Sequence, residues 1–150
     1  QQVDDPQTIY QKPSNMFVAG FIGSPQMNFI DCTLVEENGK VYAKYQDSRI
    51  ELSERSFDKI KSEGYIGKEV VLGIRPENVI VNSENNSMDA KIEVKEHLGS
   101  ETFLYLNLKH KTLIARVEPD LVVNIGDKIN IIFDKEKIHL FDKETEKSIL

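Results

Sequence analysis

The spacing of apolar residues along the chain changes near residue 27. Two short helices are predicted before this point, over residues 4–13 and 15–22, from a proline after two aspartates and from apolar residues at helical spacing. The apolar face of the second helix is formed by Phe17, Val18, Phe21 and Ile22. A short helix with such a face is not stable alone, so we expect it to pack against another part of the protein.

From residue 27 onwards, apolar and polar residues alternate in short runs, which predicts β-strands. Asn38-Gly39 predicts a tight turn between two of them. Residues 70–75 are apolar on both faces, as in a central strand. Another strand is predicted to place four apolar side chains on one face, those of Met88, Ala90, Ile92 and Val94.

The predicted elements indicate a mainly β fold. About eight to ten short strands, separated by turns, are typical of a small sandwich or barrel. One short helix, over residues 53–62 and capped by Ser53, interrupts them. A five-stranded barrel with a helix between strands is the OB plan, and two partial copies of it would account for the strands.

Charge and composition narrow the function. The chain has 150 residues, of which 39% are hydrophobic and 29% charged, as in an ordinary globular protein. The net charge of −6 argues against a nucleic-acid partner, because such proteins carry a basic face. The charged runs at 134–137 and 142–147 alternate in sign, and we interpret them as solvated surface. No apolar run approaches the roughly 20 residues of a membrane span.

The sequence lacks the common catalytic motifs: no phosphate-binding loop, nucleophile elbow, zinc-protease motif or cysteine pair occurs. The single cysteine, Cys32, lies between apolar neighbours and is predicted to be a buried, inert thiol. His97, His110 and His139 stand apart and are interpreted as surface or barrel-rim residues rather than metal ligands. We therefore predict no catalytic, cofactor-binding or metal-binding residue.

Two short motifs, at residues 73–77 and 98–102, and the aromatic residues after the second are candidates for contact with a partner. Arg75 and Glu77 could hold a ligand or partner, or pair with each other or with nearby backbone. Gly99 is predicted to supply a positive φ or a bulge. The aromatic residues fit a protein interface or a second packed core better than base stacking. The candidate interface residues are Arg75, Glu77, His97, Ser100, Glu101, Phe103 and Tyr105.

Four motifs together resemble the MalK/UgpC-type ATP-binding proteins of ABC importers. Residues 5–29, with Asp-Pro-Gln-Thr-Ile-Tyr at their start and Phe-Val-Ala-Gly-Phe-Ile-Gly-Ser-Pro later, resemble the end of the ATPase domain of that family. Gly-Ile-Arg-Pro-Glu at 73–77, Leu-Gly-Ser-Glu-Thr at 98–102 and His-Leu-Phe-Asp at 139–142 resemble its C-terminal regulatory region, in the same order.

The resemblance implies a division of the chain. Residues 1–25 would be the helical tail of the ATPase domain, and residues 26–150 an OB-fold-like (TOBE/MOP-type) regulatory domain made of two OB-like subunits. The ATP-binding motifs of the family would lie before Gln1. We therefore expect a fragment that is not itself an enzyme and holds no cofactor, cut from a parent ATPase that binds ATP and Mg²⁺.

The resemblance also implies partners and a location. The regulatory domain would form a homodimer, the parent ATPase domain would contact membrane permease subunits that import sugars or glycerol phosphate, and regulatory proteins could bind. Such a protein lies in the cytoplasm, at the inner face of the membrane. An alternative from another class is a small-ligand module for an oxyanion such as molybdate, or for a sugar, to which Ser100 and Thr102 could contribute.

Overall fold

Residues 15–16, 26–81 and 88–150 are described by the computed structural model of the chain. The helices predicted over 4–13 and 15–22 lie outside the described residues, except for Asn15 and Met16. The assignment of residues 1–25 to an ATPase tail therefore stays a prediction. No helix in the described ranges is long and apolar enough to cross a membrane.

The chain divides into two units, each with one five-stranded antiparallel sheet. The first unit comprises Gln1–Ile74 and Lys135–Leu150, and the second comprises Arg75–Asp134. The first unit is thus discontinuous, because the chain returns to it after completing the second. The mainly β, OB-like architecture with two similar halves is confirmed.

The sheet of the first unit has the strand order β10-β4-β1-β2-β3. Its strands are β1 (Asn28–Glu37), β2 (Lys40–Tyr45), β3 (Ser48–Glu51), β4 (Glu69–Ile74) and β10 (His139–Asp142). Between β3 and β4 lie a 3-10 turn (Glu54–Ser56) and the helix α1 (Phe57–Ser62), and a second 3-10 turn (Lys135–Lys137) precedes β10.

Two strong sequence signals of the first unit are confirmed. Asn38 and Gly39 have φ values of 52° and 80°, as a two-residue turn with positive φ at both positions requires, and they join β1 to β2. The predicted central strand is β4, which pairs with β1 on one side and β10 on the other. Its side chains are buried on both faces.

The predicted helix after β3 exists, but its start differs from the prediction. Ser53 makes no side-chain cap hydrogen bond. Its hydroxyl instead donates to Glu136 Oε1 at 3.0 Å. The predicted capping role of Ser53 is wrong, because its hydroxyl is turned towards the charged Glu136 carboxylate instead of accepting a backbone N–H of the first helical turn.

The sheet of the second unit has the strand order β5-β9-β6-β7-β8. Its strands are β5 (Val79–Val81), β6 (Met88–Leu98), β7 (Glu101–Leu108), β8 (Lys111–Val117) and β9 (Lys128–Phe133), and a 3-10 turn (Pro76–Asn78) precedes β5. The edge strands β5 and β8 approach each other to within 8 Å between Cα atoms, so the sheet curls towards a closed barrel.

The inner face of the second sheet is filled by apolar residues from neighbouring strands. Leu104, Leu106 and Leu108 of β7 are fully buried. Leu113 of β8 and Ile131 of β9 are buried with them. This core fixes which face of β7 points inwards, and so which side chains the opposite face presents.

The last charged run, residues 142–147, forms a solvated surface as predicted, and the segment that follows it packs on the first sheet. Its side chains at 143–147 are exposed, as expected. The backbone, however, folds back on β10: the Ile149 N–H donates to the Leu140 carbonyl at 2.8 Å, and the Ile149 side chain is buried. The predicted solvated surface is therefore confirmed for the charged run itself, and the segment after it is held on β10 by the burial of one apolar residue.

Candidate interaction surface

All seven predicted interface residues lie in the second unit, but they do not form one site. Arg75 and Glu77 lie at its beginning, just before β5. The other five lie on the β6–β7 hairpin or in its turn. The predicted residues therefore form two groups. Arg75 and Glu77 lie before β5, and the other five lie on the β6–β7 hairpin.

Arg75 is a buried residue, with 2% of its surface exposed. Its carbonyl accepts the N–H of Asn78 at 2.9 Å, which closes the 3-10 turn. A buried guanidinium is retained only with polar partners, so this side chain acts inside the protein rather than on its surface. Glu77 is half-buried in the same turn.

The tip of the β6–β7 hairpin is held by its own side chains. Gly99 has a φ of 61°, which confirms the predicted positive φ in the two-residue turn. Next to the turn, His97 lies opposite Thr102, and His97 Nδ1 is 2.8 Å from Thr102 Oγ1. Ser100 is exposed in the turn itself. The buried hydroxyl of Thr102 therefore already has a partner within the hairpin.

The outer face of the second sheet carries residues from three strands in register. Tyr105 lies between Val94 of β6 and Ile114 of β8. Phe103 lies in the next row, between Glu96 and Arg116. We call the exposed and half-buried part of this surface the β6–β8 face, and it comprises Val94, Glu96, Leu98, Glu101, Tyr105, Ile114 and Arg116.

Exposure differs sharply along the β6–β8 face. Val94 and Leu98 are 46% and 53% exposed, whereas Phe103 in the same sheet is only 3% exposed. Phe103 thus packs inside the protein, in agreement with the packed-core alternative. Arg116 and Glu101 form an exposed ion pair at 3.3 Å, which contributes about 1 kcal/mol or less.

The sequence prediction missed Val94 and Leu98. Val94 was predicted to share a buried face with Met88, Ala90 and Ile92, and for Val94 this is wrong. The register of β6 against β7 shifts between Ile92 and Val94, which is a β-bulge. A bulge inserts one residue and so turns every later side chain to the opposite face. No residue type in this stretch signals it.

The thiol of Cys32 lies in the core of the first sheet, and its pKa is far above the ordinary value. Burial raises the pKa of Cys32 to about 12, with smaller contributions from Asp31 and Glu69. The thiol is free and buried, which confirms the prediction of a buried cysteine. Among the residues that the structure describes, no group of three His, Cys, Asp or Glu side chains is placed to hold a metal.

Two family models match successive parts of the chain. The model described as MalK OB fold domain matches residues 23–79, and the one described as TOBE domain matches residues 72–141. The second match includes residues 139–141 of strand β10, although this strand completes the sheet of the first unit.

Proteins similar to this chain include several sugar-import ATP-binding proteins. The oligosaccharides import ATP-binding protein MsmX of Bacillus subtilis is 40% identical over 99% of this chain and 41% of its own length. The trehalose/maltose import ATP-binding protein MalK of Thermococcus litoralis is 39% identical, with the same coverage. The multiple sugar-binding transport ATP-binding protein MsmK of Streptococcus mutans is 39% identical over 99% of this chain and 40% of its own length.

A solved structure shows the same fold at low sequence identity. The cytoplasmic molybdate-binding protein ModG, with molybdate bound, superposes with a TM-score of 0.54 at 14% identity, over 75% of this chain and 94% of that one. This likeness concerns the fold alone. The chain spans about two-fifths of the length of the curated relatives it matches. Residues 23–79 thus belong to the MalK OB fold domain family and residues 72–141 to the TOBE domain family, and the chain as a whole is similar to sugar-import ATP-binding proteins.

Proposed function

We propose that this chain is the regulatory and dimerisation module of the ATP-binding subunit of an ABC transporter that imports sugars or glycerol phosphate. The observation that carries the proposal is the alignment of 99% of the chain with 41% of sugar-import ATP-binding proteins, over residues that match the OB and TOBE families. The ATPase domain, with its ATP and Mg²⁺, would precede Gln1, and this module would hold no cofactor.

The mechanism of such a module is mechanical. A lasting contact between two copies keeps their ATPase domains at a high effective concentration while these domains bind and release each other. The ATPase domains would contact the membrane permease subunits at the cytoplasmic face of the membrane. Exposed surface of the module outside the dimer contact would be available to regulatory proteins.

The β6–β8 face is the surface we propose for the contact between copies. Its exposed apolar side chains are Val94, which lies beside Tyr105, and Leu98, which lies two rows away opposite Glu101. The row between them holds Glu96, the buried ring of Phe103 and Arg116, and Arg116 pairs with Glu101. Aromatic residues and Arg are enriched in protein interfaces, next to apolar side chains. In a two-fold dimer the same face would meet itself.

Sedimentation velocity over a range of concentrations tests the dimer. We expect the chain to self-associate and Leu98→Asp to weaken the association by about tenfold or more, which corresponds to about 1.4 kcal/mol, since this substitution places a charge inside the proposed contact. The matched control is Val122→Asp, at an 89% exposed position in the loop between β8 and β9, which should leave the association unchanged. A strict monomer at every concentration, or a larger effect of the control, would refute the proposed contact.

An ATPase assay on the same chain tests the proposal that this module has no ATP-binding site of its own. We expect no hydrolysis of ATP above background, because the sequence has no phosphate-binding loop. Turnover that survives purification controls would overturn this assignment. Activity of a longer chain that includes the preceding domain would be expected in any case.

The small-ligand alternative is tested by thermal unfolding. The hydroxyl of Thr102 is bonded to His97, and a depression lined by Val41, Tyr42 and Phe57 holds only about 20 Å³, room for a water molecule rather than a sugar. We therefore expect molybdate, maltose and oligonucleotides to leave the melting temperature unchanged. A rise of several degrees with one of them would favour a binding role instead.

A further inference from the structure

The segment that closes the described chain, residues 142–150, holds a segment that precedes the first sheet. We propose that residues 142–150 form a clasp that fixes residues 15–16 on the first unit, and that the clasp can open without unfolding the sheet. The inference concerns a conformational device of the fold and does not depend on the proposed function.

The clasp pairs with residues 15–16 through the backbone. The Met16 N–H donates to the Glu146 carbonyl at 3.0 Å, and Asn15 forms an antiparallel bridge with Lys147. These residues are far apart in the sequence, so the pairing exists only because the chain returns to the first unit after the second. Without the clasp, the Met16 N–H would lose its protein acceptor.

The Met16 side chain packs against an apolar cluster of the first unit. This cluster consists of Met27, Val71 and Phe141, and the half-buried residues Met16 and Phe29 pack against it. The rings of Phe29 and Phe141 meet edge to face, with centroids 6.0 Å apart. The side chain of Met16 therefore packs on the outer face of β1, β4 and β10. Its backbone N–H is hydrogen-bonded to the clasp.

A single carboxylate organises the bend of the clasp. Asp142 Oδ1 accepts the N–H groups of Glu144 at 2.9 Å and Thr145 at 2.8 Å. Asp142 Oδ2 accepts the Tyr65 hydroxyl at 2.7 Å. Two backbone hydrogen bonds close the same turn, from the Asp142 N–H to the Lys147 carbonyl at 2.9 Å and from the Glu146 N–H to the Asp142 carbonyl at 2.8 Å. Hydrogen bonds to a charged acceptor are stronger than those between neutral groups, so the Asp142 carboxylate is a main determinant of the path from β10 to Glu146.

The clasp also covers the open edge of the first sheet. Ser148 bridges to Phe141 of β10, and Ile149 is buried beside Leu140. Lys143 Nζ contacts Asp31 at 3.2 Å and also Glu69, both on the same sheet. An edge strand with unpaired N–H and C=O groups invites pairing with other chains, and this segment occupies part of that edge.

The clasp is anchored mainly by hydrogen bonds of exposed or half-buried residues and by one buried apolar side chain, that of Ile149, whereas the sheet is held by many buried apolar side chains. Segments of this kind open with much lower free energies than the sheets to which they are attached. The position of residues 15–16 is therefore expected to depend on the clasp and not on the stability of β1. If an ATPase domain does precede this module, the clasp sets where the connection to it leaves the first sheet.

Amide hydrogen exchange followed by NMR on the ¹⁵N-labelled chain tests the clasp. Asp142→Ala should accelerate exchange of the Met16 amide by about tenfold, while the amides of Ile30 and Leu72 keep their rates. Glu144→Gln removes a neighbouring exposed charge and is the matched control, with Met16 exchange unchanged within about twofold.

Two results would overturn the inference. One is an unchanged exchange rate of Met16 in Asp142→Ala, and the other is an equal acceleration at Met16, Ile30 and Leu72, which would make the clasp part of the cooperative sheet. Tyr65→Phe removes one hydrogen bond and serves if Asp142→Ala does not fold, with an expected acceleration of about fivefold at Met16 alone. Sedimentation and hydrogen exchange are independent, so failure of the dimer proposal would leave this result unaffected.

Discussion

Gly73→Ala is the substitution whose effect on stability follows most directly from the packing of the first unit. Gly73 lies in β4, between β1 and β10. A Cβ atom built there would be 2.5 Å from Met27 Sδ and 3.0 Å from Phe141 Cε2, closer than real Cβ contacts in the first case. Gly73→Ala would therefore force the apolar cluster beneath Met16 to rearrange.

The magnitude of the effect is a difference between two terms. Overpacking of a buried site costs about 1–3 kcal/mol. Gly73 is not among the glycines with positive φ, so alanine fits its backbone and would return about 0.4–1 kcal/mol by restricting the unfolded chain. The difference between these two ranges is a net loss of up to about 2.6 kcal/mol in the free energy of unfolding of the first unit, and we expect a value near the middle of it, about 1.3 kcal/mol. Each kcal/mol lost lowers the melting temperature of a domain of this size by roughly 4–8 °C.

Urea denaturation followed by far-ultraviolet circular dichroism measures this loss, since the chain contains no tryptophan. Met27→Ala and the double variant complete a double-mutant cycle. Met27→Ala alone should cost about 2–5 kcal/mol. The double variant should cost less than the sum of the single variants by about 0.5–3 kcal/mol, because the missing sulfur makes room for the new methyl group. An additive cycle, or a Gly73→Ala variant as stable as the original, would refute the packing argument.

Three further predictions concern other parts of the chain. Leu104→Ala should destabilise the second unit by about 2–5 kcal/mol in urea denaturation, whereas Leu98→Ala, at an exposed position, should stay within about 0.5 kcal/mol; equal effects would contradict the assignment of the two faces. The pKa of Asp142 lies below its ordinary value of 3.8, chiefly through the Thr145 N–H and then the Tyr65 hydroxyl, so its contribution to stability is present above that pH and is lost as the pH falls through the folded-state pKa. The difference in melting temperature between the original chain and Asp142→Ala should accordingly be constant near neutral pH and shrink below about pH 4, and a difference that grows in acid would contradict the role of the carboxylate. Because burial raises the pKa of Cys32 to about 12, a thiol reagent at neutral pH should react only after denaturant is added, and rapid labelling of the folded chain would contradict its burial.

The fold could be predicted where the signals are local. The turn at Asn38-Gly39 fixes its hairpin because few residue pairs accept two positive φ values in succession. The strand β4 could be recognised because it is apolar on both faces, which only a strand between two others requires. In the candidate site, Gly99 and the hairpin around it were predicted for the same local reason.

The exposure of the candidate residues could not be predicted, because it depends on packing between distant segments. Arg75 and Phe103 belong to residue types that serve interfaces, yet both are buried. Val94 follows the alternation of a buried face, yet the bulge after Ile92 turns it outwards. The hydroxyl of Ser53 could be expected to cap its helix, but a carboxylate from the turn before β10 lies within reach.

The sequence by itself determined the β-rich class, the positions of the strands and turns, and the domain families to which its parts belong. These follow from side-chain periodicity and backbone preferences, which act within a few residues. Only the tertiary structure decided that β10 joins the first sheet, that Val94 and Leu98 face outwards, and that residues 142–150 hold Met16 in place. Each of these features depends on which segments, distant in the sequence, lie side by side in the fold. Preferences that act within a few residues do not determine these long-range contacts.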